Sequence, residues 1–384
     1  MNIVPIITAA CLLALIAERW IVHRRISALR WRIHVNGTRG KSSVTRYIGA
    51  ALTAAGTDTV VKVTGIVPTI VLPDGTLRVI ERRGPARVQE QFSVIRTACR
   101  SKAHALVLEC MSLKPEYQRL EARMFRPHIT VITNIDDDHR EEMGSTEEEH
   151  IAAIAESVPD DGLVIVSNVT LRNGLQQYAA QHRSIVLTAP PLSPERAAQL
   201  PRTMFAENVA LALCVAEQAG IEPQRAFDAI LAMAERSPEG PVTMTVNDRS
   251  VRFLNGFAVN DVPSAVRFLQ RWESGTGRQD RIIILNTRHD RPLRTKEFLR
   301  WCVSLTDVHH FFITGSHAAY ACRSLKSMGM PAGQFSHVQS SDVVERLRSL
   351  VRAETDIIGF GNIAGDGFTM IEQFNRKAAQ PHGD

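Results

Sequence analysis

Aromatic residues are scarce: 4 Trp and 4 Tyr occur in 384 residues, and no Trp or Tyr interleaves with the basic stretch Arg78–Lys102. Without stacking platforms beside the positive charge, nucleic acid is not an expected partner. The cysteines are few and scattered, at 11, 99, 110, 214, 302 and 322, with no CxxC pair. That spacing excludes a disulfide framework and a CxxC-type zinc site, and fits reduced thiols in a cytosolic domain. Net charge is only +5, from 45 Lys+Arg against 40 Asp+Glu, so most of the surface is of mixed sign. The excess gathers after the N-terminal apolar run and between Arg78 and Lys102, where Arg82, Arg83, Arg87, Arg96 and Arg100 can attract an acidic substrate. Hydrophobic residues make up 44% and charged residues 22% of the chain. That is globular composition, and the length suits two soluble domains.

One uncharged apolar run stands out, Ile3–Ala17, followed by Glu18, Arg19 and Trp20, then His23, Arg24, Arg25, Arg30 and Arg32. A secretory signal carries its positive charge before the apolar run, whereas here it follows. A core helix without a polar face is rare in small domains. A single N-terminal membrane helix is therefore expected, although a span needs roughly 17–25 apolar residues and requires Glu18 and Arg19 to snorkel. The arginines then put the rest of the chain in the cytoplasm.

Trp31–Val35 reads as a strand, and Val44, Ile48 and Leu52 carry a helical period. Between them lies Asn36-Gly37-Thr38-Arg39-Gly40-Lys41-Ser42-Ser43. Strand, glycine loop and helix make a phosphate site: backbone N–H groups converge on oxygen anions and the helix N-terminus adds positive potential. Lys41 reaches the terminal phosphates of ATP and Ser42 offers its hydroxyl to Mg²⁺. The position five before Gly40 is Val35 rather than glycine, so the loop is a variant of the common pattern.

Ala-Leu-Val-Leu closes on Glu109 in the next buried strand candidate, His104–Glu109. Glu109 is either a second ligand for the metal or an ordinary strand-terminal acid. A third strand, Ile129–Thr133, runs into Asn134-Ile135-Asp136-Asp137-Asp138-His139. His139 can ligate the cation or only bond its own loop, and Asp and Asn are also common turn residues.

Together these elements resemble the Mur ligase superfamily, in GTRGKS, Glu109, Thr133-Asn134-Ile135 with Asp138-His139, and Glu207-Asn208-Val209-Ala210. Within it, the N-terminal apolar segment, VNGTRGKSSVTR, TNIDDDH and LNTRHDRPLR at 285–294 are similar to the PgsB/CapB family of poly-γ-glutamate synthase subunits. The resemblance implies an ATP- and Mg²⁺-dependent carboxylate–amine ligase. It also implies an α/β fold: a P-loop ATPase domain and a smaller Rossmann-like C-terminal domain behind one membrane helix. It makes Asn208 the contact to the nucleotide base and Ser42, Glu109 and His139 the metal ligands. Asp261 faces the nucleotide by this likeness, or caps a helix by the plain reading. Arg288 and Arg291 touch phosphates when the C-terminal domain closes, since a guanidinium donates bidentately to a phosphoryl group. Partners implied are glutamate, the growing polymer, the membrane and other membrane subunits, with a homo-oligomer allowed.

Ser237–Pro241 is a turn-rich break. The expected organisation is therefore an anchor over 1–25, an ATPase domain over 26–240 and a ligase domain over 241–384. Past the break, Val242–Val246 and Ser250–Leu254 flank a hairpin signal at Asn247-Asp248. Short apolar runs at Ile282–Leu285, Phe311–Thr314 and Ile357–Phe360 alternate with helical segments, as in a parallel sheet. Two other functions share parts of this pattern: another Mur- or folylpolyglutamate-type ligase, and a membrane-anchored P-loop NTPase without ligase chemistry.

Overall fold

The computed structural model describes residues 4–65, 67–82, 86–135, 140–144, 146–235, 241–259, 261–273, 280–363 and 365–378. The chain divides into two compact units, Met1–Arg236 and Ser237–Asp384.

The first unit runs α1 (Val4–Ser27), β1 (Trp31–Asn36), α2 (Lys41–Ala54), β2 (Thr59–Val63), β3 (Thr69–Val71), β4 (Leu77–Val79), α3 (Glu90–Arg100), β5 (Ala105–Glu109), α4 (Pro115–Phe125) and β6 (Ile129–Ile132). It continues α5 (Arg140–Met143), α6 (Glu147–Ala155), β7 (Leu163–Val166), α7 (Val169–Gln181), β8 (Ile185–Thr188), α8 (Pro194–Gln199), α9 (Ala206–Gln218) and α10 (Pro223–Glu235). Its eight strands form one sheet in the order β4-β3-β2-β5-β1-β6-β7-β8. Only the β2–β3 and β3–β4 pairs are antiparallel. The central strands are buried on both faces, so they read as continuous apolar runs rather than alternating ones. Ile33 and Val35 pack with Val44, Ile48, Val215 and Phe227 of α2, α9 and α10. On the opposite face, Leu106 and Leu108 pack with Ile26, Leu29, Val94 and Phe125.

The sequence led us to expect a membrane-spanning helix at the N-terminus, and this needs correction. Among the described residues, no helix is long and apolar enough to cross a membrane. The last turns of α1 belong to the protein core: Ile26 is buried and Val22 packs against the same cluster. The uncharged stretch of α1, residues 4–17, covers only about 21 Å at 1.5 Å per residue, against ~30 Å of hydrocarbon. Ile7, Leu13 and Ile16 in this stretch are exposed, as is Trp20 in the turn after it.

The second unit runs β9 (Val242–Val246), β10 (Arg249–Asn255), α11 (Val262–Glu273), β11 (Asp280–Thr287), α12 (Pro292–Ser304), β12 (His310–Gly315), α13 (Ala318–Ser327), β13 (Phe335–His337), α14 (Val343–Leu347), β14 (Thr355–Phe360) and α15 (Asp366–Ala378). Strand order is β13-β12-β11-β14-β10-β9, with only β9 antiparallel. The hairpin turn sits at Asn247 and Asp248, both at positive φ (51° and 57°). This is the type I′ geometry that Asn and Asp tolerate. The sheet reverses between β11 and β14, and Asn286, Thr287 and Asn362 lie at the carboxyl ends there. Such a reversal is where open α/β sheets hold ligands.

Candidate active site

The phosphate loop leaves β1, which lies between β5 and β6, and enters α2 at Lys41. Two of its residues need glycine. Gly37 has φ 123°, and a Cβ there would fall 2.1 Å from Thr133 Oγ1. Gly40 caps α2 at φ 76°, and a Cβ would fall 2.7 Å from Asn208 Oδ1. Asn208 on α9 therefore stands directly against the loop. Lys41 folds back, its Nζ donating to Gly37 O (2.6 Å) and Thr38 O (3.1 Å). The ammonium thus sits within the loop that backbone amides outline. Ser43 is half-buried in the first turn of α2.

The rest of the loop is held from behind. Asn36 points inward, donating to Gln118 Oε1 (2.7 Å) and Ser157 Oγ (3.0 Å). Its Oδ1 accepts the Gly37 N–H at 2.8 Å, so its side chain braces the loop rather than facing a nucleotide. Asn134 Oδ1 accepts from the Thr38 hydroxyl (2.6 Å) and the Arg39 N–H (2.9 Å). The Thr133 hydroxyl donates to Arg39 O. The Thr-Asn pair after β6 is thus a clamp on the loop, a role not read from the sequence.

Ser42 Oγ lies 3.0 Å from both carboxylate oxygens of Glu109. Glu109 is buried at the end of β5, and its Oε2 also accepts the Thr64 N–H at 2.7 Å. A hydroxyl and a carboxylate converging beside a phosphate loop are a hard, oxygen-only donor set. That set fits a divalent cation of the Mg²⁺ class. Thr64 is a contributor the sequence reading missed, because its backbone rather than its side chain takes part. His139 and Asp136–Asp138 lie outside the described residues, as does Arg83.

One sequence expectation for the basic stretch changes. Arg82 is not free for an acidic substrate, since its Nε and Nη2 grip Glu90 at 2.7 and 3.0 Å. Arg87 is exposed. Lys62, on β2, is fully buried and meets Glu90 Oε1 at 3.0 Å. Burial pulls the Lys62 ammonium down, and the nearby carboxylates raise it without overcoming that. Burial pushes the Glu90 carboxyl up, but Arg82 and Lys62 outweigh it and hold the group below its usual range.

In the second unit, Asp261 Oδ1 accepts the Ser264 N–H at 2.8 Å. The helix-cap alternative is the one observed, on α11. Arg288 donates bidentately to Asp290 at 2.9 and 2.6 Å, so its fork is already engaged. Arg291 is half-buried at the N-cap of α12. Arg294 donates to Asn362 Oδ1 (2.9 Å), and Asn362 and Asn286 bond reciprocally through side-chain amides and backbone carbonyls.

Residues 35–200 match the Mur ligase middle domain and residues 242–377 match the poly-gamma-glutamate synthase CapB C-terminal domain. Among solved structures, a bifunctional folylpolyglutamate synthase/dihydrofolate synthase of Yersinia pestis, complexed with AMPPNP and Mn ion, superposes with TM-score 0.67 at 15% identity. That match covers 94% of this chain and 92% of the other. FolC of E. coli in complex with DHPP and ADP gives 0.63 at 17%, covering 94% and 92%. MurF of Acinetobacter baumannii gives 0.60 at 14%, covering 94% and 79%. Fold, site and these matches together mark an ATP-dependent amide ligase with a Mur ligase middle domain and a CapB-type C-terminal domain. Within that class it is similar to PGA synthase CapB of Bacillus subtilis (strain 168), 29% identical over 96% of this chain and 97% of the relative. It is also 28% identical to the capsule biosynthesis protein CapB of Bacillus anthracis, over 98% and 84%.

Proposed function

We propose that this chain extends poly-γ-glutamate, joining glutamates through the γ-carboxylate at the cost of ATP. A carboxylate is a poor acyl donor, because its oxygen leaves badly. In the proposed route its oxygen attacks the γ-phosphorus of ATP, ADP departs, and an acyl phosphate forms. The amine of a second glutamate attacks the acyl carbon and loses a proton. The tetrahedral intermediate then expels phosphate, leaving an amide. The protein's part is positioning and charge neutralisation. Lys41 and the loop amides hold the phosphates, and Asn208 meets the base. Ser42 and Glu109 hold Mg²⁺, with His139 as a third ligand. The metal supplies neutralisation of phosphate charge. Arg288 and Arg291 are the candidate phosphate donors, and the fork of Arg288 is already bonded to Asp290.

The convergence of Ser42 on Glu109 beside the glycine loop is the observation that carries the ligase chemistry. The glutamyl substrate rests on the similarity to CapB along nearly the whole chain. We further propose that α1 attaches the enzyme to the cell membrane, with the catalytic units on the cytoplasmic side. Its exposed Leu12, Leu13, Ile16 and Trp20 followed by basic residues support this. Association with other membrane subunits that receive the polymer belongs to the same reading.

The test uses the full chain with ATP, Mg²⁺ and glutamate labelled with ¹⁸O in its carboxylates. Transfer of label into phosphate, together with a protease-resistant acidic polymer, is expected. ADP release indifferent to glutamate, with unlabelled phosphate, would leave only an NTPase.

A further inference from the structure

Two consecutive buried or half-buried residues at the start of α3, Glu90 and Gln91, reach opposite flanks of the same carboxylate. Glu90 holds Lys62 of β2 at 3.0 Å. Two residues on, the chain leaving β2 donates the Thr64 N–H to Glu109 Oε2 at 2.7 Å. A Cβ built on the next residue, Gly65, would lie 3.2 Å from Ser42 Oγ, so this exit forms one wall of the Ser42–Glu109 corner. Gln91 donates to Glu121 Oε1 from a fully buried position. Glu121 in turn accepts from the Ser112 hydroxyl (2.7 Å) and the Met111 N–H (3.3 Å). Residues 110–112 are the chain leaving β5 directly after Glu109, the other wall. Lys62 Nζ also lies 3.8 Å from Met111 Sδ, which ties the two walls together. Lys62, Gln91 and Glu121 are each 0% exposed. Buried polar groups of this kind are held rigidly, since losing one partner leaves the other unsatisfied.

We infer that Glu90 and Gln91 are positioning residues that set the divalent-cation affinity of the Ser42–Glu109 corner from behind. This rests on the reading of Ser42 and Glu109 as metal ligands. The two residues act through the strand exits that aim the ligands. Outer partners of metal ligands typically govern about 10–100-fold in metal affinity. The outer end of the Glu90 contact, Arg82, lies in the basic segment, so the same bracket reaches the surface.

The test measures Mn²⁺ binding to the full chain by loss of the free-ion electron paramagnetic resonance signal, in the presence of AMPPNP. AMPPNP affinity without metal and the thermal midpoint are measured alongside. Glu90→Gln and Gln91→Met are expected to weaken Mn²⁺ binding about tenfold or more. Metal-free AMPPNP affinity should stay at the wild-type value, and saturating Mn²⁺ should restore kcat. Arg82→Met, at a partly exposed site, gives a smaller loss in the same direction and decides the matter if a buried variant fails to fold. Folded variants with Mn²⁺ affinity within twofold of wild type overturn the inference, as does an equal loss of metal-free AMPPNP affinity. Glu109→Gln separates the two levels: if it binds Mn²⁺ as wild type does, the metal-ligand reading itself is wrong. If it alone abolishes binding, only the bracket fails.

Discussion

Lys41 donates to two loop carbonyls within its own turn, Gly37 O and Thr38 O. Bound phosphates offer the same ammonium stronger, charged acceptors. A charge-assisted hydrogen bond contributes about 1.5–3 kcal/mol, so Lys41→Ala should lower kcat/KM for ATP by roughly tenfold to a hundredfold. Steady-state ADP release checks this, and wild-type kinetics would remove Lys41 from the site. Gly40→Ala is expected to be worse than a plain glycine-to-alanine change in a helix. Left-handed backbone costs a residue with a Cβ about 1–2 kcal/mol, and here the added carbon also meets Asn208 Oδ1 at 2.7 Å. Thermal denaturation should show a lowered midpoint, and nucleotide binding should fall with it. At this scale the loop, Glu109 and Asn208 were legible in the sequence because they carry a motif. The inward turn of Asn36 and the Asp290 partner of Arg288 were not, and the cap made by Asp261 was legible only as one of two alternatives. Each is a choice between two hydrogen-bond partners that spacing along the chain cannot decide.

The strand β2 shows where element-level reading stops. Thr-Val-Val-Lys-Val has the β-branched content of a strand but a lysine in its middle. A buried lysine is costly unless paired, so the run does not read as a central strand from sequence alone. The structure resolves the conflict with Glu90, the first residue of α3 and far from Lys62 in sequence. That ion pair makes a pH prediction. The Glu90 carboxyl is held below its usual range in the folded chain. Its contribution to stability is therefore complete above the unfolded value of about 4.3 and is lost as pH falls through the lower, folded value. Wild-type protein should lose thermal stability relative to Glu90→Gln as pH is lowered from about 4.3 through the lower folded value, with the difference constant at higher pH. Parallel curves for the two proteins would show that Glu90 stays protonated or unpaired. The parallel strands β1, β5, β6, β11, β12 and β14 were legible because both faces are buried and their apolar runs are continuous. The hairpin of β9 and β10 was legible because Asn-Asp supplies the positive φ its turn requires.

For the whole molecule, the two-sheet α/β architecture followed from the alternating apolar runs and glycine loop, and the likeness to Mur-type ligases from the motifs along the chain. The membrane segment was read less well: an apolar run is visible in sequence, but not that its helix ends inside the core. Packing of Val22 and Ile26 against α3 and its neighbours leaves the first turns exposed. Replacing Leu12, Leu13 and Ile16 with serine should move the protein from the membrane to the supernatant on fractionation. ATP turnover should be unchanged, since these side chains are remote from the core. Retention at the membrane would assign attachment to something other than α1.

A crystal structure with AMPPNP and Mn²⁺ bears most directly on the ligase reading. The phosphates should lie on the amides of Gly37–Ser43 beside Lys41, with the metal bridging Ser42 and Glu109. Nucleotide bound elsewhere, with that loop vacant and Ser42 still bonded to Glu109, would contradict it.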